Sequence, residues 1–390
     1  MNRPSWIPSL LLVTGLSLTA CGGGGGGSSS APAPVPSEAS DTPPVFPTDE
    51  WASATPAEMN MDVAKLDQAR EYSLTGGGAG FITRHGQVVY TWGDTNARYD
   101  LKSATKAIGT IALGLAMDDG RLRLDDSAQM HLPSLGVPPN RNRTTGWLDE
   151  VTILQLATHT SGFEKSGGYG VLEFRPGTTW RYSDGGANWL ADVLTQVYGE
   201  DLNTLLFSRV WSTIGITDAS AIQNGSLLWR ENQQRDHKLN GVERRELSSG
   251  IEASVDAMAR IGYLFLRRGE WNGQRLLSES FVDSVSKPRA EVANTVNADA
   301  TDYPDENQNI GLLWRTNTTA ALAEVPRDAY WGHGLGDNLI IVIPSLDLVI
   351  ARTGNDPDDK TLPQIRTEGT SHDEVLVTLL TPIVQSVTDD

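Results

Sequence analysis

The sequence predicts a mixed α/β (α+β) fold: an antiparallel sheet built from both ends of the chain and flanked by helices, with a mostly helical segment inserted between its halves. Three observations predict it. Residues 79–92 (AGFITRHGQVVYTW) are two apolar, β-branched runs around Arg84-His85-Gly86, a hairpin with glycine in its turn. A second hairpin lies near the other end, where 339–343 and 348–352 flank Pro344-Ser345-Leu346-Asp347. Between the two hairpins the apolar spacing is mostly helical.

Each element has its own signal. Over 104–118, Ile108, Ile111, Ala112 and Leu115 fall on one stripe, and Asp119-Gly120 closes the helix. Over 187–198, Leu190, Val193, Leu194 and Val197 share a face closed by Gly199; 255–268 is a third helix, closed by Gly269. Residues 223–249 and 294–309 are polar and read as surface loops. The sheet-bearing part is therefore expected at about 49–120 and 310–388, and the helical part at about 121–309.

With 390 residues, 39% hydrophobic and 21% charged, the chain can bury a substantial core. Its net charge of −18 repels phosphate backbones, which argues against nucleic-acid binding. The first residues stand apart from the fold. Arg3 and the apolar run 7–18 have the form of a secretory signal, too short to span a bilayer. That run ends Leu18-Thr19-Ala20-Cys21, which resembles the bacterial lipoprotein lipobox. Cys21 is the only cysteine in the chain, so it has no internal disulfide partner. The resemblance implies lipidation of Cys21, membrane attachment through that anchor and, with Gly22 rather than Asp following, an outer-membrane destination facing the periplasm. Residues 1–20 read as signal peptide, 21–48 as a Gly/Ser/Pro-rich tether, and 49–388 as the working domain. No other apolar run approaches eighteen residues.

The chemistry starts at Ser103-Ala104-Thr105-Lys106. Ser and Lys three apart at a helix start share a face. The first turn offers free N–H groups and a positive dipole end to a forming oxyanion. A serine hydroxyl needs a neighbouring base to take its proton. Lysine serves only when neutral, which burial is expected to promote. A second match, Ser284-Val285-Ser286-Lys287, precedes Pro288 and therefore lies at a helix end, where N–H groups are not free. Two further motifs accompany the first copy in order: Tyr182-Ser183-Asp184 at a helix start, and Trp331-Gly332-His333-Gly334-Leu335-Gly336 directly before the C-terminal hairpin.

This ordered set resembles the serine β-lactamase and penicillin-binding protein superfamily, with its S-x-x-K, Y-x-N and K-T-G motifs. The block 151–162 (VTILQLATHTSG) and the turn 118–126 (DDGRLRLDD) agree with it. The similarity runs from about residue 60 to 385 and is nearest to the class C-like branch of family VIII carboxylesterases, D-amino-acid peptidases and 6-aminohexanoate-dimer hydrolases. It implies that Ser103 forms an acyl-enzyme, Lys106 deprotonates it, and Tyr182 relays the proton to the leaving group. The oxyanion hole would be the Ser103 N–H and one on the strand after 333, with Gly336 the candidate; Asp184 and His333 are candidate substrate contacts. Two positions depart from the pattern: Asp184 stands for Asn, and His333-Gly334-Leu335 for K-T-G. A neutral His and a Leu hold a substrate carboxylate poorly, which favours a small-molecule ester or amide over a β-lactam.

Other features carry no chemistry. His159 reads as a residue that satisfies a buried turn, and His85 as a solvated turn residue. There is no H-E-x-x-H, close Cys/His set or dinucleotide fingerprint, so neither metal nor cofactor is expected. Two alternatives to an esterase or amidase stand beside it: a D,D-peptidase or β-lactamase, and a catalytically silent binding lipoprotein.

Overall fold

The computed structural model describes residues 44–355, 357 and 372–389. The signal peptide, Cys21 and most of the tether lie outside the described residues. Both hairpins form. Strands β1 (Ala79–Arg84) and β2 (Gln87–Trp92) join through His85 (φ 51°) and Gly86 (φ 77°), a two-residue turn with both φ positive. Arg84, read as part of that turn, is instead the buried end of β1, where its guanidinium meets the carbonyls of Met59 and Asn60 and the Asp389 carboxylate. From the C-terminal half come β3 (Arg315–Thr316), β4 (Tyr330–Gly334), β5 (Asn338–Ile343) and β6 (Leu348–Thr353). The six strands form one antiparallel sheet in the order β3-β4-β5-β6-β1-β2.

Strand alternation sorts their side chains onto two buried faces. Ile340, Val342, Val349 and Ala351 join the core that contains α2 (Ala104–Asp118) and α4 (Val255–Leu266). Ile341, Ile343, Leu348 and Ile350 join a second core with residues of α1 (Val63–Thr75) and α5 (His372–Ser386). Helix α4 thus covers the sheet, although its sequence position placed it in the helical part. The helical part holds α3 (Asp184–Tyr198), which starts three residues earlier than the apolar pattern because the Ser183 hydroxyl caps it, accepting from the Gly186 N–H at 2.9 Å.

Helix α2 has no solvent face. Every residue from Ala104 to Ala116 is buried, so the single stripe expected from Ile108, Ile111, Ala112 and Leu115 is one side of an enclosed helix. A Cβ at Gly114 would lie 2.6 Å from the Phe281 ring, so glycine is what lets that neighbour approach. Trp314 Nε1 donates to the Ala107 carbonyl at 3.0 Å. Such packing fixes Ser103, at the start of α2, against the rest of the molecule.

Three boundaries differ from the sequence reading. The folded body begins before residue 49: Tyr263 donates to the Val45 carbonyl, Arg260 to those of Thr48 and Asp49, and Phe46 packs on Tyr263 and Trp271. Residues 223–249 are not a surface loop. Leu227–Trp229 pairs with Ile251–Ala253, and Arg235, Arg244, Glu246 and Ser248 are buried. Residues 294–309 likewise pair through Val296–Asn297 with Thr179–Trp180 and bury Tyr303 and Glu306. Local polarity suggested solvent, but these side chains find buried partners. Among the described residues no helix is long and apolar enough to cross a membrane.

Candidate active site

Ser103 occupies the N-cap of α2, yet its hydroxyl makes no capping bond. The N–H groups of Ala104, Thr105 and Lys106 turn back to the carbonyls of Leu101, Lys102 and Ser103. The Ser103 N–H is not among them and stands at the positive end of the helix. One turn on, Lys106 is buried, with a side-chain exposure of 3%. Its Nζ lies 3.1 Å from Ser103 Oγ, 2.7 Å from the Ser248 carbonyl and 2.6 Å from Asp184 Oδ1. Ser103 Oγ and the Ser248 carbonyl accept hydrogen bonds from this nitrogen, and Asp184 adds an ion-pair contact.

The electrostatics agree, and they correct the expectation of a neutral lysine. Burial opposes the charge, but the Asp184 carboxylate, with Tyr182, outweighs it, and the Lys106 pKa is raised above its ordinary value. Asp184 is the first residue of α3, where the dipole favours its negative charge. It is a partner of the lysine in this geometry, where the sequence suggested a substrate contact.

Tyr182 closes the cluster. Its ring centroid is 4.8 Å from Lys106 Nζ. The ring lies between His159, with centroids 4.7 Å apart, and Tyr303, stacked at 5.4 Å. Asp299 accepts from the Tyr182 N–H at 2.9 Å. His159 Nδ1 accepts from the Ser183 N–H at 3.2 Å, so it satisfies a buried turn as its sequence context suggested, and it also braces the tyrosine. Burial, then the charges of Lys106 and Arg315, pull its pKa down to about 3, so the imidazole is neutral. Ser103, Lys106, His159, Tyr182, Glu306, Ile310, Leu313, Arg315 and His333 line one small cleft.

His333 therefore reaches the cleft, with its Nε2 2.8 Å from Asp337 Oδ1. Gly336 does not line it. That glycine sits in the turn after β4 at φ 82°, its carbonyl held by Arg352. Gly334 is the residue on the strand that meets the nucleophile's turn, since a Cβ there would lie 2.0 Å from the Leu101 carbonyl and 2.9 Å from the Ala104 nitrogen. The second S-x-x-K copy is remote in character: Ser284 bonds its own helix, and Lys287 is exposed beside Asp283.

Several supporting residues escaped the sequence reading. Asn188 donates to the Gly167 carbonyl and accepts from the Ser248 N–H, holding the Ser248 carbonyl near Lys106. Arg235 pairs with Asp192 at 2.8 Å and donates to the carbonyls of Gly168 and Gly185, tying segment 232–248 to the start of α3. A signal existed: Asp184, Asn188 and Asp192 repeat every four residues and make a polar stripe on an otherwise apolar helix.

The site's geometry agrees with the comparison of the chain to known families, in which residues 64–369 match the family model described as Beta-lactamase. The chain belongs to the beta-lactamase family. Solved structures similar to this beta-lactamase-family protein include a candidate 6-aminohexanoate-dimer hydrolase from Bacillus anthracis (TM-score 0.63, 16% identity, covering 86% of this chain and 87% of that one). A mutant of simvastatin synthase from Aspergillus terreus is also similar (TM-score 0.61, 17% identity, covering 85% and 98%). Among curated proteins, lovastatin esterase of Penicillium rubens is 29% identical over 157 residues, a match that covers 30% of this chain and 38% of the esterase. The mixed α/β fold and the serine-hydrolase class expected from the motifs are those of the family.

Proposed function

We propose that this beta-lactamase-family protein is an exported, lipid-anchored serine hydrolase that cleaves a small carboxylic ester or amide through an acyl-enzyme on Ser103. The observation that carries the reading is the buried Lys106 amine, 3.1 Å from the Ser103 hydroxyl and 4.8 Å from the centre of the Tyr182 ring.

The chemistry follows from the atoms present. Loss of one proton from the Lys106–Tyr182 pair leaves a base next to Ser103. Ser103 Oγ attacks the substrate carbonyl carbon while its proton passes to that pair. The oxyanion forms at the start of α2, against the Ser103 N–H and an N–H of the strand around 334–335. The C–O or C–N bond then breaks, and the leaving group takes its proton from Tyr182. Water reverses the sequence to release the acid and regenerate Ser103.

An ester or simple amide suits the cleft better than a β-lactam. His333 already has Asp337, Leu335 is exposed and apolar, and Arg315 pairs with Glu306 at 3.0 Å. The relatives described as esterase and 6-aminohexanoate-dimer hydrolase are consistent with this substrate class. Ser103→Ala is expected to abolish turnover of a short-chain activated ester, with the melting temperature retained; undiminished turnover would refute the reading. Export rests on the lipobox-like 18–21 segment, and Cys21→Ser is expected to move the protein from the membrane to the soluble fraction.

A further inference from the structure

We propose that Asp184 is a positioning residue that holds the Lys106 amine as an ammonium and thereby sets the activity of this hydrolase to the alkaline side of neutrality. The proposal rests on the serine-hydrolase reading above and adds to it what the departure from asparagine at this position does.

The argument is one of charge in a buried place. Lys106 has a side-chain exposure of 3% and Asp184 of 28%, with 2.6 Å between their charged atoms. With a carboxylate at 184, the resting cluster of ammonium, carboxylate and phenol is neutral, with the two charges in direct contact. Forming the base means removing a proton and leaving a net negative charge in the cleft. With an amide at 184, the same cluster would start positive, and losing a proton would make it neutral. Low-dielectric surroundings favour the neutral state in each case. The carboxylate therefore opposes activation and the amide assists it.

The other groups around the cluster do not cancel this effect. Tyr182 belongs to the cluster, its ring centroid 4.8 Å from the amine. His159 packs behind it, neutral. Arg315 pairs with Glu306, and His333 with Asp337, each on the cleft wall. Lys165 is farther off, its Nζ 5.8 Å from the Tyr182 ring centroid. From the far side Lys106 meets a neutral carbonyl, that of Ser248; the nearby Glu246 carboxylate faces Arg230 at 3.7 Å. Asp184 is the anion in direct contact with the amine.

The test is the pH profile of kcat/KM on a short-chain activated ester for the wild type, Asp184→Asn and Asp184→Glu, alongside fluorophosphonate labelling of Ser103 in each. The acid limb of the profile reports deprotonation of the Lys106–Tyr182 pair as a unit. In D184N it is expected to move to lower pH by about 1 to 2 pH units, within the range for a contact charge partner. Well below the wild-type limb, D184N turnover relative to its own plateau then rises about tenfold for each pH unit the limb has moved. D184E restores the wild-type limb. A purely structural role for Asp184 would lower the plateau and leave the limb where it was. An unmoved limb in a D184N protein that still forms the Ser103 adduct, or a limb moved to higher pH, overturns the proposal alone. Absence of the adduct in all three proteins overturns the serine-hydrolase reading and this one with it.

Discussion

Gly334→Ala probes the contact that locates the nucleophile. The strand β4 passes the start of α2 so closely that a Cβ at 334 would lie 2.0 Å from the Leu101 carbonyl oxygen and 2.9 Å from the Ala104 nitrogen. Both neighbours are backbone, and Leu101 and Ala104 are fully buried, so neither end can swing aside. Gly334 itself lies in a strand, outside the left-handed region, so alanine adds no backbone strain and the effect is purely one of space. Real Cβ atoms stay beyond 3.0 Å, so strand and turn must separate by about 1 Å. Overpacking of this kind costs about 1–3 kcal/mol, which corresponds to about 2–10 °C in melting temperature. The activity effect is larger in proportion, because Ser103 rides on the turn that moves; a 1 Å misplacement costs about 100-fold in rate. The assay is steady-state turnover of an activated ester beside a thermal melt. A G334A protein with wild-type kcat and an unchanged melting temperature would refute the placement of β4 against the nucleophile's turn.

Two further outcomes follow from buried charge. Asp192→Ala leaves Arg235 and Arg244 buried without their shared carboxylate, at a cost of about 3–5 kcal/mol; because Arg235 ties segment 232–248 to α3, ester turnover is expected to fall with stability, and a stable, fully active D192A would contradict the tie. His159, held down to about 3, refuses in the folded state a proton that its unfolded form binds from about pH 6.5 downward, so its contribution is complete above pH 6.5 and is lost as pH falls toward 3. Subtracting the urea-derived stability of His159→Asn from that of the wild type should leave a slope approaching about 1.4 kcal/mol per pH unit between roughly pH 5.5 and 4; a flat difference would show that His159 is not buried neutral.

What the sequence disclosed, and what it hid, divides along physical lines. The hairpins at 79–92 and 339–352 were legible because strand alternation and turn residues are local properties. The trio Ser103, Lys106 and Tyr182 was legible because each motif sits at a helix start with a recognisable spacing, and the fold brings all three to one cleft. The charge state of Lys106 was not, because it depends on Asp184, seventy-eight positions away and brought to 2.6 Å only by the packing of α3 against α2. The burial of 223–249 and 294–309 was hidden for a related reason: a polar window looks solvated until its partners are known, and Arg235 and Tyr303 find theirs across the chain, at Asp192 and Tyr182. The close approach of β4 to α2 had a readable clue: Gly332 and Gly334, two apart on one strand face, are the small residues that allow it.

The whole account turns on Ser103 being an activated nucleophile. Intact-mass analysis of the protein after incubation with a fluorophosphonate, followed by peptide mapping, measures this directly. The account predicts one phosphonyl group per chain, carried by the peptide containing Ser103, and none in Ser103→Ala. An unmodified wild type, or an adduct that persists in the alanine variant, would contradict it.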